Sequence, residues 1–397
     1  MQAGPWLAAA IGAAAAGGAE GVPPADVPMP PGSNAMARAA EYSASRGGRA
    51  FLVQVDGRVV FERYDGWPPN LPHPLASGTK SFTGVLAMLA VQDGLLQLDE
   101  RAADTLTEWA GDPGKSKITV RQLLQLSSGL PAGDRQVKGG GRSGARLLGW
   151  AASNRTARLG LDDAPEVADG VRAALELPLA HEPGTKFDYG PSHFYAFVGL
   201  LRRKLESSDR PEKNVIVYLH RRLLETIGIP NGRVGRDRAG HPDLAGGMLL
   251  TAREWARFGQ FIADRGARRR EDGTLEPWLK PELLAECFRP SPANPRYGLT
   301  WWLPSGAGAQ GENPADGLGE GRRRFARMSP VRDAAGRPVT AYMAAGLGTQ
   351  RLLVLSDQGW VIVRFADGSQ RTISYSDAEL VRLLFDAPSA PSANGGS

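Results

Sequence analysis

Apolar and polar positions change rhythm along the chain, and the changes predict its elements. Ala50 to Val55 and Arg58 to Tyr64 are β-rich runs, with Asp56-Gly57 between them. A two-residue loop needs positive φ twice, which Asp and Gly tolerate best, so a hairpin is expected. Near the other end, Thr340 to Ala344, Arg351 to Leu355 and Trp360 to Phe365 read as strands, with Asp357-Gln358-Gly359 turning the last pair. A helix is expected after them. Ser376 and Glu379 have capping-box spacing, and Leu380, Leu383 and Leu384 form an apolar stripe. A sheet is therefore expected from both ends of the chain.

The middle reads as helical. Ile118 to Leu126 is a short amphipathic segment ended by Ser127-Ser128-Gly129-Leu130-Pro131, where the two serines read as turn residues. Phe194 to Leu205 and Val215 to Ile227 are further helices. Thr251 and Glu254 repeat the capping-box spacing ahead of Trp255, Phe258 and Ile262 on one face. Asp134 to Ala145 and Ser305 to Arg337 look loose. The second is read as a surface insertion, with a lid as the other reading.

Composition narrows the classes. The chain has 397 residues, 22% charged and 42% hydrophobic, with a net charge of +5, as ordinary folded chains do. Its basic residues are mostly Arg and are interleaved with acids, so the charge argues for no nucleic-acid partner. Cys287 is the single cysteine, which excludes an intrachain disulfide framework or a thiolate metal site. The five histidines show no zinc-hydrolase spacing, and no phosphate-binding Gly-rich loop ending in Lys-Ser/Thr occurs. No metal and no cofactor are implied. The first residues, Ala-rich and then Pro-rich, are similar to a secretory signal without its basic start, since the first basic residue is Arg38. Export to a periplasmic or secreted location is one expectation. A disordered tail on a cytoplasmic protein is the other. No integral membrane span is expected in the mature chain, and the oligomeric state is left open.

The chemistry concentrates in Leu75-Ala76-Ser77-Gly78-Thr79-Lys80-Ser81-Phe82, followed by a helical pattern that Gly94 stops. Ser77 falls at the helix N-terminus, with Lys80 one turn on and on the same face. That terminus favours developing negative charge. A neighbouring lysine can accept the serine proton where burial or a cation favours its neutral form. The spacing alone is weak, because a capping serine and a solvated lysine produce the same pattern.

Its surroundings strengthen it. Ser77 to Gly84, Leu123 to Pro131, Glu182 to Tyr189, Ala245 to Met248 with Phe258-Gly259, and Tyr297 to Trp302 follow one another in the chain. In that order they resemble segments of the serine β-lactamase and penicillin-binding-protein superfamily. The likeness is greatest to its class C β-lactamase, esterase and 6-aminohexanoate-dimer-hydrolase branch, and it covers roughly residues 45 to 386.

The resemblance implies an α+β fold, an antiparallel sheet flanked by helices with an inserted helical domain. Residues 1–33 would be a signal and linker, 34–115 with 290–388 the sheet domain, and 116–289 the mainly helical domain. It implies Ser77 as nucleophile, Lys80 as its base and Tyr189 as second proton carrier. The third motif falls on Ala344-Ala345-Gly346, so the N–H groups of Ser77 and Leu347 would form an oxyanion hole beside Gly346.

Two positions depart from the pattern. Pro191 stands where the family often has Asn, with Ser192 or His193 as candidate substitutes. Ala344 stands where a Lys or His helps bind a substrate carboxylate, with Arg351 as a candidate cation. The expected activity is hydrolysis of a small-molecule carboxylic ester or amide through an acyl-enzyme. The alternatives are a true β-lactamase or D,D-peptidase, and a catalytically silent ligand-binding module. His181 reads as a loop histidine, and Trp301-Trp302 either line the cleft or fill core.

Overall fold

The computed structural model describes residues 32–132, 169–303, 332–333, 335–367 and 375–385. The expected signal segment, the loose segment 134–145 and nearly all of 305–337 lie outside them.

Helix α1 (Ser33–Ala44) leads into β1 (Gly48–Val55) and β2 (Arg58–Tyr64). Asp56 and Gly57 both take positive φ, 47° and 82°, as the hairpin reading required. Short strands β3 (His73–Pro74), β4 (Arg233–Val234) and β5 (Met248–Leu250) form a separate three-stranded sheet, and β6 (Ala267–Arg269) pairs with β7 (Leu275–Pro277). The C-terminal strands are β8 (Ala341–Gly346), β9 (Gln350–Leu355) and β10 (Trp360–Ala366). The main sheet has the order β2-β1-β10-β9-β8, antiparallel throughout, so β10 joins the two ends of the chain. This is the expected α+β architecture.

Both faces of the sheet are covered, which is why β9 and β10 are apolar at nearly every position rather than alternating. One face, with Leu52, Leu352, Val361 and Val363, packs on α2 (Lys80–Gln92) and α7 (Ala252–Ala263). Thr251 and Glu254 close a capping box at the start of α7. The other face, with Val53, Leu353 and Ile362, is covered by α1 and α9 (Asp377–Phe385). Arg364 has 0% exposure. It donates to Ser43 Oγ at 3.0 Å, Arg46 O at 2.8 Å and Thr349 O at 2.9 Å, tying α1 to the β8–β9 turn through the centre of the sheet.

Between the sheet-forming ends run α3 (Val120–Leu124), α4 (Gly170–Glu176), α5 (Ser192–Ser207), α6 (Val215–Leu219) and α8 (Pro281–Glu286). A capping box from Thr119 and Gln122 starts α3, and Leu126 at φ 56° ends that segment. The helix expected over Val215 to Ile227 changes form at His220. There the Glu225 N–H reaches back five residues to His220 O at 2.9 Å, and the turn widens.

Replacing Gly57 by Val puts a β-branched residue at φ 82° and its Cβ 2.7 Å from Arg269 Nε. A loss of about 1–2 kcal/mol is expected, measurable as a lower urea midpoint with unchanged slope.

Candidate active site

Helix α2 is buried on all sides from Lys80 to Ala90, as a helix that is apolar all round must be. Its C-terminus closes at Gly94, φ 73°, where Leu95 N donates to Ala90 O at 2.9 Å. At its other end a 3₁₀ turn, Ala76–Thr79, carries Ser77. Ala76 is held at φ 48°, a left-handed conformation uncommon for a residue with a Cβ. Clearance around this turn is small. A Cβ on Gly78 would lie 2.7 Å from the Trp255 ring, and one on Gly84 would lie 2.4 Å from Leu299 O.

Lys80 is 1% exposed. Its Nζ donates to Ala245 O at 2.6 Å and to Ser77 Oγ at 3.3 Å. The segment 244–248 grips the turn that carries Ser77 at three further points. Met248 O accepts from Leu75 N at 2.9 Å, Met248 N donates to Thr79 Oγ1 at 3.1 Å, and Leu244 O accepts from Thr83 Oγ1 at 3.0 Å. Ser77 itself is half-buried, so its hydroxyl lies at the border between core and solvent.

Tyr189 is 9% exposed, and Lys80 Nζ lies 5.0 Å from its ring centre and 5.1 Å from that of Phe194. The segment bearing Tyr189 is bound to the turn after α3. Asp188 N donates to Leu126 O at 2.8 Å, Gly184 N to Ser127 O at 2.7 Å, and Ala132 N to Asp188 Oδ2 at 3.2 Å. Gly129, at φ 84°, has no room for a side chain because His181 O would lie 2.2 Å from its Cβ.

The residues offered as substitutes for the family's Asn are engaged elsewhere. Ser192 Oγ donates to Pro131 O at 2.8 Å. His193 is fully buried, with Nε2 2.7 Å from Asp188 O and Nδ1 2.8 Å from Ser128 Oγ. A carbonyl only accepts, so Nε2 carries the proton and Ser128 donates to Nδ1. Burial pushes His193 down to about 4, against the Asp188 carbonyl, which favours the charged form; the Lys80 charge adds to the lowering. Ser128 is thus a buried partner of His193 as well as a turn residue. Its role was not visible in the sequence because 65 residues separate the two.

Strand β8 brings Ala344-Ala345-Gly346 against the turn that carries Ser77. Alternation puts Ala344 on the α2 face with Gly346, and a Cβ on Gly346 would lie 2.0 Å from Leu75 O. Only a glycine permits that approach. Leu347 follows, 37% exposed. Arg351 is paired with an acid rather than held as a spare cation. Its Nε donates to both oxygens of Asp377, at 2.9 and 3.1 Å, and its Nη1 to Gly346 O at 3.2 Å.

An aromatic group surrounds Tyr189. Its ring centre lies 6.2 Å from that of Tyr297 and 5.7 Å from that of Trp302, and Phe187 lies 5.1 Å from Tyr297. Trp301 packs on the opposite side, against Phe258, so the tandem pair divides between two cores. The Tyr297 hydroxyl is buried with no hydrogen-bond partner, and burial, with Tyr189 beside it, pushes its pKa well up. His181 lies half-buried in a loop, as expected. Away from this site, Asp169, Asp237 and His241 come together, but their atoms are taken by hydrogen bonds to Gly170 N and His241 N and by a 3.5 Å contact between His241 and Asp169. No metal is assigned there.

The sequence model of the Beta-lactamase family matches residues 34–384, and the chain belongs to that family. A stretch of 165 residues is 26% identical to Protein flp of Staphylococcus aureus strain MW2, covering 39% of this chain and 29% of that protein. The match thus spans less than a third of that curated relative. The fold is similar to that of a putative 6-aminohexanoate-dimer hydrolase from Bacillus anthracis, with a TM-score of 0.58 at 20% identity over 83% of this chain and 76% of the other. A family VIII carboxylesterase gives a TM-score of 0.57 at 16% identity, covering 84% and 92% of the two chains. At these identities the likeness concerns the fold. No described helix is long and apolar enough to cross a membrane.

His73 is also pushed down to about 4 by burial. Both imidazoles are neutral in the folded state, while unfolded histidines take up protons near pH 6.5. Their contribution is therefore complete above pH 6.5 and is lost as pH falls from 6.5 to 4. Thermal melts at pH 7, 5.5 and 4.5 should show Tm falling through that window. A flat profile would contradict the buried neutral state.

Proposed function

We propose that the protein is a serine hydrolase that cleaves a carboxylic ester or amide through an acyl-enzyme. The observation that carries this reading is the buried Lys80 amine 3.3 Å from Ser77 Oγ. In the neutral form Lys80 accepts the hydroxyl proton as Oγ attacks the carbonyl carbon. The amine and the Tyr189 phenol then relay that proton to the leaving alcohol or amine. The N–H groups of Ser77 and Leu347 hold the oxyanion. Attack by water, assisted by the same groups, releases the acid.

The surroundings favour a neutral substrate. Ala344 offers no charge, Pro191 offers no amide, and Arg351 is committed to Asp377. A substrate whose recognition depends on a carboxylate, as a penicillin's does, would meet no cation from these positions. Aromatic rings around Tyr189 suit an apolar acyl or alcohol portion.

The test is burst kinetics with p-nitrophenyl butyrate and intact mass on quenched samples. A stoichiometric acyl adduct is expected in the wild type and none in Ser77→Ala, with turnover down at least about 10³-fold. Tyr189→Phe should lose about 10²-fold or more in kcat. Adduct-free, equal background in wild type and Ser77→Ala would exclude the esterase. Acylation by a penicillin in that case would point to a β-lactam-specific enzyme, and its absence to a binding module.

A further inference from the structure

We propose that Asp243 is a positioning residue for Lys80: its carboxylate folds the turn that presents the Ala245 carbonyl to the Lys80 amine, and its charge acts on that amine. The inference rests on the serine-hydrolase reading for what Lys80 does, but its geometry stands independently.

Asp243 Oδ1 accepts two backbone hydrogens, from Ala245 N at 3.0 Å and Gly246 N at 2.9 Å. Its own carbonyl accepts from Gly247 N at 2.9 Å, and its N–H donates to Gly235 O at 2.8 Å. These four bonds fix residues 243–247 as one tight turn. The turn turns the Ala245 carbonyl towards Lys80 Nζ, 2.6 Å away. Gly246 lies between the carboxylate and the nucleophile segment. A Cβ there would be 3.5 Å from Asp243 Oδ2 and 4.0 Å from Ala76 O. One residue of backbone therefore separates the carboxylate from the peptide preceding Ser77.

The electrostatics agree. Burial raises the Asp243 carboxyl above its ordinary range, and the Lys80 charge is the largest influence pulling it back, ahead of the two N–H bonds. Attraction is mutual, so an ionised Asp243 favours the ammonium form of Lys80. Other groups acting on this pair include Asp237, which raises Asp243, Tyr195, which is itself raised by Asp243 and Asp237, and, on the lysine side, His193 and the Tyr189 and Phe194 rings. His193 is neutral above about pH 4, so at neutral pH it places no charge beside the lysine.

Two substitutions separate the two parts of the role. Asp243→Asn keeps an oxygen for both N–H groups and removes the charge. Asp243→Ala removes both. With Asn, the ammonium keeps the Ala245 carbonyl but loses an opposing charge, so Lys80 releases its proton at lower pH. The acidic limb of kcat/KM should move down by about one pH unit, with KM for p-nitrophenyl butyrate within about twofold of wild type. Alanine should add a fall in kcat of about 10- to 100-fold, because the carbonyl that steers the amine is no longer fixed.

The ¹³Cε resonance of Lys80, assigned by its loss in Lys80→Met, reports the same shift without any turnover. An Asn variant whose Lys80 titrates at the wild-type pH overturns the proposal. So does an Ala variant with wild-type kcat. A wild type that is never acylated at Ser77 overturns the hydrolase reading instead, and the Lys80 titration still decides whether Asp243 governs the amine.

Discussion

A primary amine in the protein interior, one turn from a serine hydroxyl, is the constraint on which the rest of the arrangement depends. Removing an amine from water without replacing its hydrogen bonds costs several kcal/mol. Lys80 avoids that cost because a second chain segment brings a carbonyl to it. That segment in turn is stitched to both flanks of the turn, at Leu75 and Thr83. The lysine's position, the conformation around Ala76 and the packing of Gly78 on Trp255 are thus parts of one solution. Each would relax if another were removed.

The second wall is built differently. Tyr189 is fixed through its neighbour Asp188, whose N–H, carbonyl and carboxylate all bind the stretch from Leu126 to Ala132 or the buried His193. The third wall is β8. It comes close because Gly346 has no Cβ. Three segments far apart in sequence therefore meet at the serine by three separate devices: a carbonyl clamp, a buried imidazole network and a missing side chain.

The sequence was most legible where local chemistry decides the structure. The Asp56-Gly57 hairpin, the capping box at Thr251 and the Gly94 stop each depend on residues within a few positions. Strand patterns at both ends and helical periods between them pointed to a sheet split by a helical insert, and the resemblance supplied the α+β class. What remained hidden was long-range. Nothing near His193 announces that Ser128 will be its partner. Arg351 looked like an available cation because its sequence neighbours contain no acid, whereas Asp377 reaches it from the last helix. Ser192 looked like a candidate side chain until burial against Pro131 consumed its hydroxyl. The break at His220 was also missed, because apolar residues on both sides of it keep a helical rhythm.

The position of β10 has a consequence for how the molecule must assemble. This strand lies between β1 and β9, so the partner of β1 is made about 300 residues after it, as the pairing of Leu52 with Val363 shows. During synthesis the β1–β2 hairpin emerges early with one apolar edge unpaired, and it stays so until almost the whole chain has left the ribosome. Contacts of such separation slow folding and leave sticky edges open. The hairpin's charged and exposed outer strand, Arg58 to Tyr64, guards one side during that wait. The other side stays open until β10 arrives, so the site around Ser77 is among the last features of the chain to become complete.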